Sequence, residues 1–138
     1  MEKVKRFEDL IIWKEARELC KKVYDITSTV PFSQDIRFVQ QMHASAGSIM
    51  DNIAEGFERA GNKEFINFLF FAKGSCGELR SQIIRATDVG YLTKDMAKAL
   101  YNDCQKTGAL IMTLIKELQN SEFRGAKYFL HEDDPPLY

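Results

Sequence analysis

Only three prolines and eight glycines interrupt the 138 residues, which leaves room for long regular elements. Cysteine is scarce too: Cys20, Cys76 and Cys104 are odd in number, and each sits in a helical pattern without a close partner. That excludes a disulfide framework and leads us to expect a reduced, cytoplasmic chain. No apolar run is long enough to cross a bilayer, and the basic start MEKVKRFEDL is not followed by the apolar core of a signal peptide. No membrane association is therefore expected. Charge of either sign is not in excess. A net charge of −1 and a pI of about 6.1 argue against a wholly basic nucleic-acid binder and leave room only for a local patch.

Catalytic and metal-binding patterns are missing as well. Helical bundles that hold paired metals use Glu-x-x-His, and neither His43 nor His131 has a glutamate three residues before it. His131, Glu132, Asp133 and Asp134 are ligand types, but they form a tail cluster beside prolines, and we read no metal site there. His43 falls near an apolar stripe, where a lone histidine is a packed, hydrogen-bonded residue more often than a base. No cysteine has a histidine near it in sequence, and Gly74-Ser-Cys-Gly77 lacks the Gly-x-x-x-x-Gly-Lys-Ser/Thr of a phosphate loop. The expectation is a protein that is not an enzyme and has no cofactor.

What is present is helical periodicity. Leu10, Trp13, Ala16, Cys20, Val23 and Thr27 mark a first helix from about Asp9, its cap, to Thr29, ended by Val30–Pro31. A second helix is expected from a Ser33 cap to about Arg59, on Val39, Met42, Ala46, Ile49 and Ile53, widened by Met50, Ala54 and Phe57. Gly61 suits the turn that follows and Asn62 the next N-cap. The third helix runs from about Lys63 to Val89 on Phe65, Phe68, Leu69, Ala72, Cys76, Leu79, Ile83 and Ala86. Thr93 caps a fourth on Met96, Leu100, Cys104, Thr107, Ile111, Leu114 and Leu118, ended by Asn120–Ser121. The fold class is all-α, an antiparallel up-down four-helix bundle over residues 1–120. Residues 121–138 read as a tail that docks in part or is disordered.

Three features go beyond the core pattern. If the second and third helices run antiparallel about Gly61, Ala44–Ser48 falls opposite Gly74–Gly77, and Gly47, Gly74 and Gly77 are expected to let the backbones approach closely. A polar row, Ser45, Ser48, Asn52, Glu55 and Arg59, predicts a hydrogen-bonded layer between helices or subunits rather than a ligand site. Ile66, Phe70, Phe71 and Ile84 lie outside the third helix's stripe, more apolar circumference than one bundle consumes, and are the candidate oligomer interface. Basic side chains mark two candidate nucleic-acid contacts: Lys14, Arg17 and Lys21 on the first helix, and Lys73 and Arg80 on the third. Glu15 and Glu18 interrupt the first row, with Glu18 placed to pair with Lys22, so a solvated face is its simpler reading.

The segments FEDLIIW (Phe7–Trp13), SIMDNIAEGFERAG (Ser48–Gly61), EFINFLFFAKGSCGEL (Glu64–Leu79) and GYL (Gly90–Leu92) resemble the S23 ribosomal proteins, also called 23S rRNA intervening-sequence proteins. The NIAEG, E-F and G-S-x-x-E-L elements carry the resemblance, which covers about Phe7 to Leu118. It implies a cytoplasmic bacterial four-helix bundle without known catalysis, assembled as a ring-like homo-oligomer, a homopentamer. The family name reflects genes inside rRNA intervening sequences, not a ribosomal subunit. More distantly, the chain is similar to the accessory variability determinant of diversity-generating retroelements, which implies binding to nucleic acid and a reverse transcriptase. Two departures stand out. Gln41-Met42-His43-Ala44-Ser45 replaces the basic residues common before the SI segment, and Met50 stands where a proline often follows the isoleucine. The first weakens the RNA-binding implication for this chain. Two readings follow: a nucleic-acid-associated (RNA-binding) accessory protein, or an oligomeric scaffold for a protein partner.

Overall fold

The computed structural model describes residues 2–59, 61–121 and 129–130. Four helices account for most of them: α1 (Ile11–Thr27), α2 (Ile36–Glu58), α3 (Asn62–Asp88) and α4 (Lys94–Gln119). α3 packs most extensively, against α2 on one side and α4 on the other. α1 closes the bundle between α2 and α4, diagonally across from α3. A short antiparallel pair joins β1 (Glu2–Lys3) to β2 (Phe129–Leu130). The rest of the tail expected at 121–138, with the His131–Asp134 cluster, lies outside the described residues beyond Ser121.

The core follows the expected stripes with shifts of one residue. Met42, Ala46, Ile49, Ile53, Phe65, Leu69, Ala72, Leu79, Cys104 and Ile111 are fully buried. Leu19, Phe38, Ala97 and Ile115 are buried where Cys20, Val39, Met96 and Leu114 were expected to be. Phe68 is half-buried.

Three caps differ from expectation. Asp9 does not cap α1; it closes a 3-10 turn at Phe7–Asp9 and pairs with Arg6 at 2.8 Å, leaving Leu10 at the cap position. α2 starts after a second 3-10 turn, Phe32–Gln34, because Phe32 is drawn into the core and stacks on Tyr91 at 4.8 Å. Asp35, not Ser33, therefore caps α2, accepting from the Phe38 amide at 3.3 Å and from the Tyr91 hydroxyl at 2.9 Å. α3 begins at Asn62 itself, with Gly61 at its cap and φ of +98°, a backbone angle that favours glycine. At the other end Gly90, φ +83°, completes a Schellman turn in which the Tyr91 amide reaches the Ala86 carbonyl and the Gly90 amide the Thr87 carbonyl. That turn places Tyr91 against the start of α2. Thr93 caps α4 as expected, accepting from the Met96 amide.

The α2–α3 register is the expected one. The Ser75 hydroxyl donates to Ser48 Oγ at 2.9 Å, and Ser45 donates to Glu78 at 2.8 Å. Ser45 and Ser48 thus form the expected layer between helices, while Asn52 bonds to Ser48 and Arg59 to Glu55 along α2 itself. The glycines are a correction. A Cβ at Gly74 would meet nothing within 4 Å among the described residues, one at Gly77 only Arg80 Nη2 at 3.6 Å, and one at Gly47 only its own helix's Asp51 at 4.0 Å. The close approach is at Gly56, where a Cβ would lie 2.6 Å from Phe68 Cβ and 2.9 Å from Phe65 Cδ1.

Candidate functional site

The outward side of α3 carries Phe70, Gly74, Gly77, Ser81 and Ile84, spaced four, three, four and three residues apart, so they run down one face of a helix. Phe70 is 44% exposed, Ile84 52% and the adjacent Phe71 54%. Ile66, the fourth candidate interface residue, is half-buried and packs on the core at the edge of this face. Val30, Ile36 and Val89 are also exposed, but they sit in a loop or at helix ends. The face on α3 is continuous, and it combines large apolar side chains with bare backbone at its middle.

Along one edge of this face, α3 and α4 enclose a cleft of about 200 Å³ lined by Lys73, Cys76, Arg80, Cys104, Gln105, Gly108, Ala109 and Met112. Lys73 and Arg80 are thus brought to one site. No carboxylate is among its described lining residues. The Arg80 guanidinium lies over the Tyr101 ring at 5.8 Å, and its buried Nε has no acceptor among the described residues. Along the other edge, a cleft of about 410 Å³ between α2 and α3 is lined by Gln41, Ala44, Glu78, Ser81, Gln82 and Arg85. Gln82 is buried, its Nε2 barely reaches the Gln41 carbonyl at 3.5 Å, and its Oε1 has no donor among the described residues.

Lys14, Arg17 and Lys21 are not brought to this site, because α1 lies across the bundle. Lys21 pairs with Glu18 at 2.9 Å, which holds that carboxyl below its usual range through the hydrogen bond and charge of Lys21. The expected Glu18–Lys22 pair does not form; Lys22 reaches Asp103 on α4 at 2.6 Å. Arg17 lies over Trp13 at 5.7 Å. His43 meets Thr27 Oγ1 at 2.9 Å and stacks on Tyr24 at 3.8 Å. Desolvation lowers its pKa, as expected of a packed histidine. No group of three or more metal-ligand side chains occurs among the described residues, and none of their helices is long and apolar enough to cross a membrane.

The periodicity of the sequence found Phe70, Phe71 and Ile84 because they fall outside the core stripe. It missed the clefts, which depend on how α3 is set against its neighbours.

No curated protein matches this sequence. Among solved structures, the crystal structure of a protein of unknown function from the S23 ribosomal protein family of Bacteroides thetaiotaomicron is similar, with a TM-score of 0.72. It is 21% identical, over 78% of this chain and 97% of that one, which bears on the fold alone. A family model described as 23S rRNA-intervening sequence protein matches residues 8–113, the whole helical bundle short of the last turns of α4. The chain belongs to the 23S rRNA-intervening sequence protein family.

Proposed function

We propose that this protein is a non-catalytic, cytoplasmic, self-assembling scaffold whose subunits join through the outer face of α3. The observation that carries this reading is the stripe Phe70–Gly74–Gly77–Ser81–Ile84. Glycine inside a helix costs about 1 kcal/mol relative to alanine, and Gly74 has no close neighbour among the described residues that would offset this cost. A second helix laid on the stripe would use the bare backbone and cover Phe70 and Ile84. Head-to-tail contact of this patch with a different face of the next subunit closes into a ring when the rotation closes, and the family resemblance implies five subunits. Size exclusion with light scattering should give a multiple of 15.9 kDa. A folded monomer at micromolar concentration would overturn the assembly.

The α3–α4 cleft favours a second reading, binding of nucleic acid. Two cations in a cleft with no carboxylate among its described lining residues suit a phosphate, and a ring would repeat the pair in every subunit. The double variant Lys73→Glu with Arg80→Glu should weaken RNA or heparin binding and flatten its dependence on salt, by about 0.7–0.9 in log–log slope for each phosphate no longer neutralised. No binding by the parent chain at low salt, across several RNAs, would leave the scaffold for a protein partner as the function.

A further inference from the structure

The α3–α4 cleft has two thiols in its lining, and neither assembly nor phosphate binding requires them. Cys76 and Cys104 are both free and buried, on facing helices. The Cys104 thiol donates to the Cys76 backbone carbonyl with its sulfur 3.2 Å away. Contact with Cys104 is the main reason the Cys76 thiol is held below its ordinary range, and contact with Cys76 the main reason the Cys104 thiol is held above it. Burial opposes the effect on Cys76, and the charges of Arg80 and Lys73 reinforce it. Lys73 and Arg80 stand about one helical turn before and after Cys76 and line the same cleft. Gly108 on α4 packs against the same thiol: a Cβ there would lie 3.6 Å from Cys76 Cβ and 4.0 Å from its sulfur, so the glycine lets α4 lie close to Cys76.

Cys20 on α1 has no second thiol beside it, and it is half-buried and pushed up by desolvation and by Asp51. The Cys76 site differs in both respects: its cleft brings two cations and a second thiol to the sulfur, and a cysteine whose charged form is favoured by positive charge, beside a resolving thiol, is the pattern of redox-sensing cysteines. We propose that Cys76 and Cys104 form a reversibly oxidisable dithiol, in which Cys76 attacks a hydroperoxide that enters the cleft and Cys104 closes a disulfide that staples α3 to α4.

The step balances. The Cys76 thiolate attacks one oxygen of hydrogen peroxide, the O–O bond breaks, and the departing oxygen takes a proton and leaves as water. Cys76 is then a sulfenic acid. The Cys104 sulfur attacks the Cys76 sulfur, the S–O bond breaks, and the expelled hydroxide leaves with the Cys104 proton as a second water. Two thiols and one peroxide give one disulfide and two waters, with two electrons passing from sulfur to oxygen. The order follows from the site: Cys76 is the thiol about one helical turn from both Lys73 and Arg80, whose charges favour its ionised form. Bond closure requires the sulfurs to come within about 2.0 Å. The Cys104 sulfur already lies 3.2 Å from the Cys76 carbonyl oxygen, against the residue it would join.

The test uses the full chain carrying Cys20→Ser, exposed to hydrogen peroxide, unfolded and alkylated. Both remaining thiols should be lost together, the mass should fall by two hydrogens, and dithiothreitol should restore both. Heating should unfold the oxidised form at a higher temperature than the reduced form. In this background Cys104→Ser should stop at a sulfenic acid trapped by dimedone, whereas Cys76→Ser should give neither adduct nor crosslink. The proposal is overturned if both thiols still alkylate after a peroxide dose that fully oxidises free glutathione. It is also overturned if the two serine variants, each checked for folding by circular dichroism, react alike.

Discussion

Replacing Gly56 with alanine is expected to destabilise the bundle by about 1–3 kcal/mol, a cost of overpacking. Helix propensity alone would give the opposite sign, since alanine gains about 1 kcal/mol over glycine in a helix interior. The clash decides the sign. The new methyl would stand 2.6 Å from the β-carbon of Phe68, which no rotamer change can move, and 2.9 Å from the Phe65 ring. Relief therefore requires α2 and α3 to separate just where Phe57, Phe65 and Leu69 fill the core. Gly74→Ala is the control, because its methyl meets nothing among the described residues, and the subunit should keep or gain stability by up to about 1 kcal/mol. Thermal and denaturant unfolding of both variants measures the contrast. Parent-like stability in Gly56→Ala, or an equal loss in Gly74→Ala, would mean the α2–α3 packing is placed wrongly.

The two glycine sets show what the sequence made legible and what it did not. Small residues at 44–48 and 74–77 gave the right register, because antiparallel helices about a short turn place equidistant positions side by side. Ser48 does meet Ser75, and Ser45 meets Glu78. The reason attached to that register was wrong, since Gly74 and Gly77 lie on the outward side of α3 rather than against α2. Gly56 carried no signal of its own: its partners are phenylalanines, and a glycine that receives a large side chain leaves no pattern of small residues facing small ones. It does sit in the NIAEG element of the family resemblance, and the approach of Phe68 supplies a physical need for glycine there. The caps were misplaced by one or two residues for a similar reason. Ser33 and Asn62 are good capping types, but burial of Phe32 and the positive φ of Gly61 set the helix starts. The cysteine cleft needed the α3–α4 register, which periodicity within either helix does not provide.

Phe70→Glu and Phe71→Glu are expected to convert the assembly into folded monomers of 15.9 kDa. The core does not depend on these rings, which are 44% and 54% exposed in the subunit, so each variant should retain its helical circular dichroism. Between subunits the consequence is large. A carboxylate buried there without a partner costs several kcal/mol, and each 1.4 kcal/mol weakens association about tenfold. Repetition of the substitution at every interface of a closed ring compounds the effect. Gly74→Leu probes the same interface by shape: it places bulk where none of the described residues lies within 4 Å, so it should block a neighbouring helix while leaving the monomer intact. The competing arrangement has residues 122–138 covering this face in place of a neighbour. In that case the parent chain would already be monomeric in light scattering, and Phe70→Glu would lower its melting temperature instead of its mass. A parent-sized assembly retained by Phe70→Glu, Phe71→Glu and Gly74→Leu alike would remove the outer face of α3 from the interface.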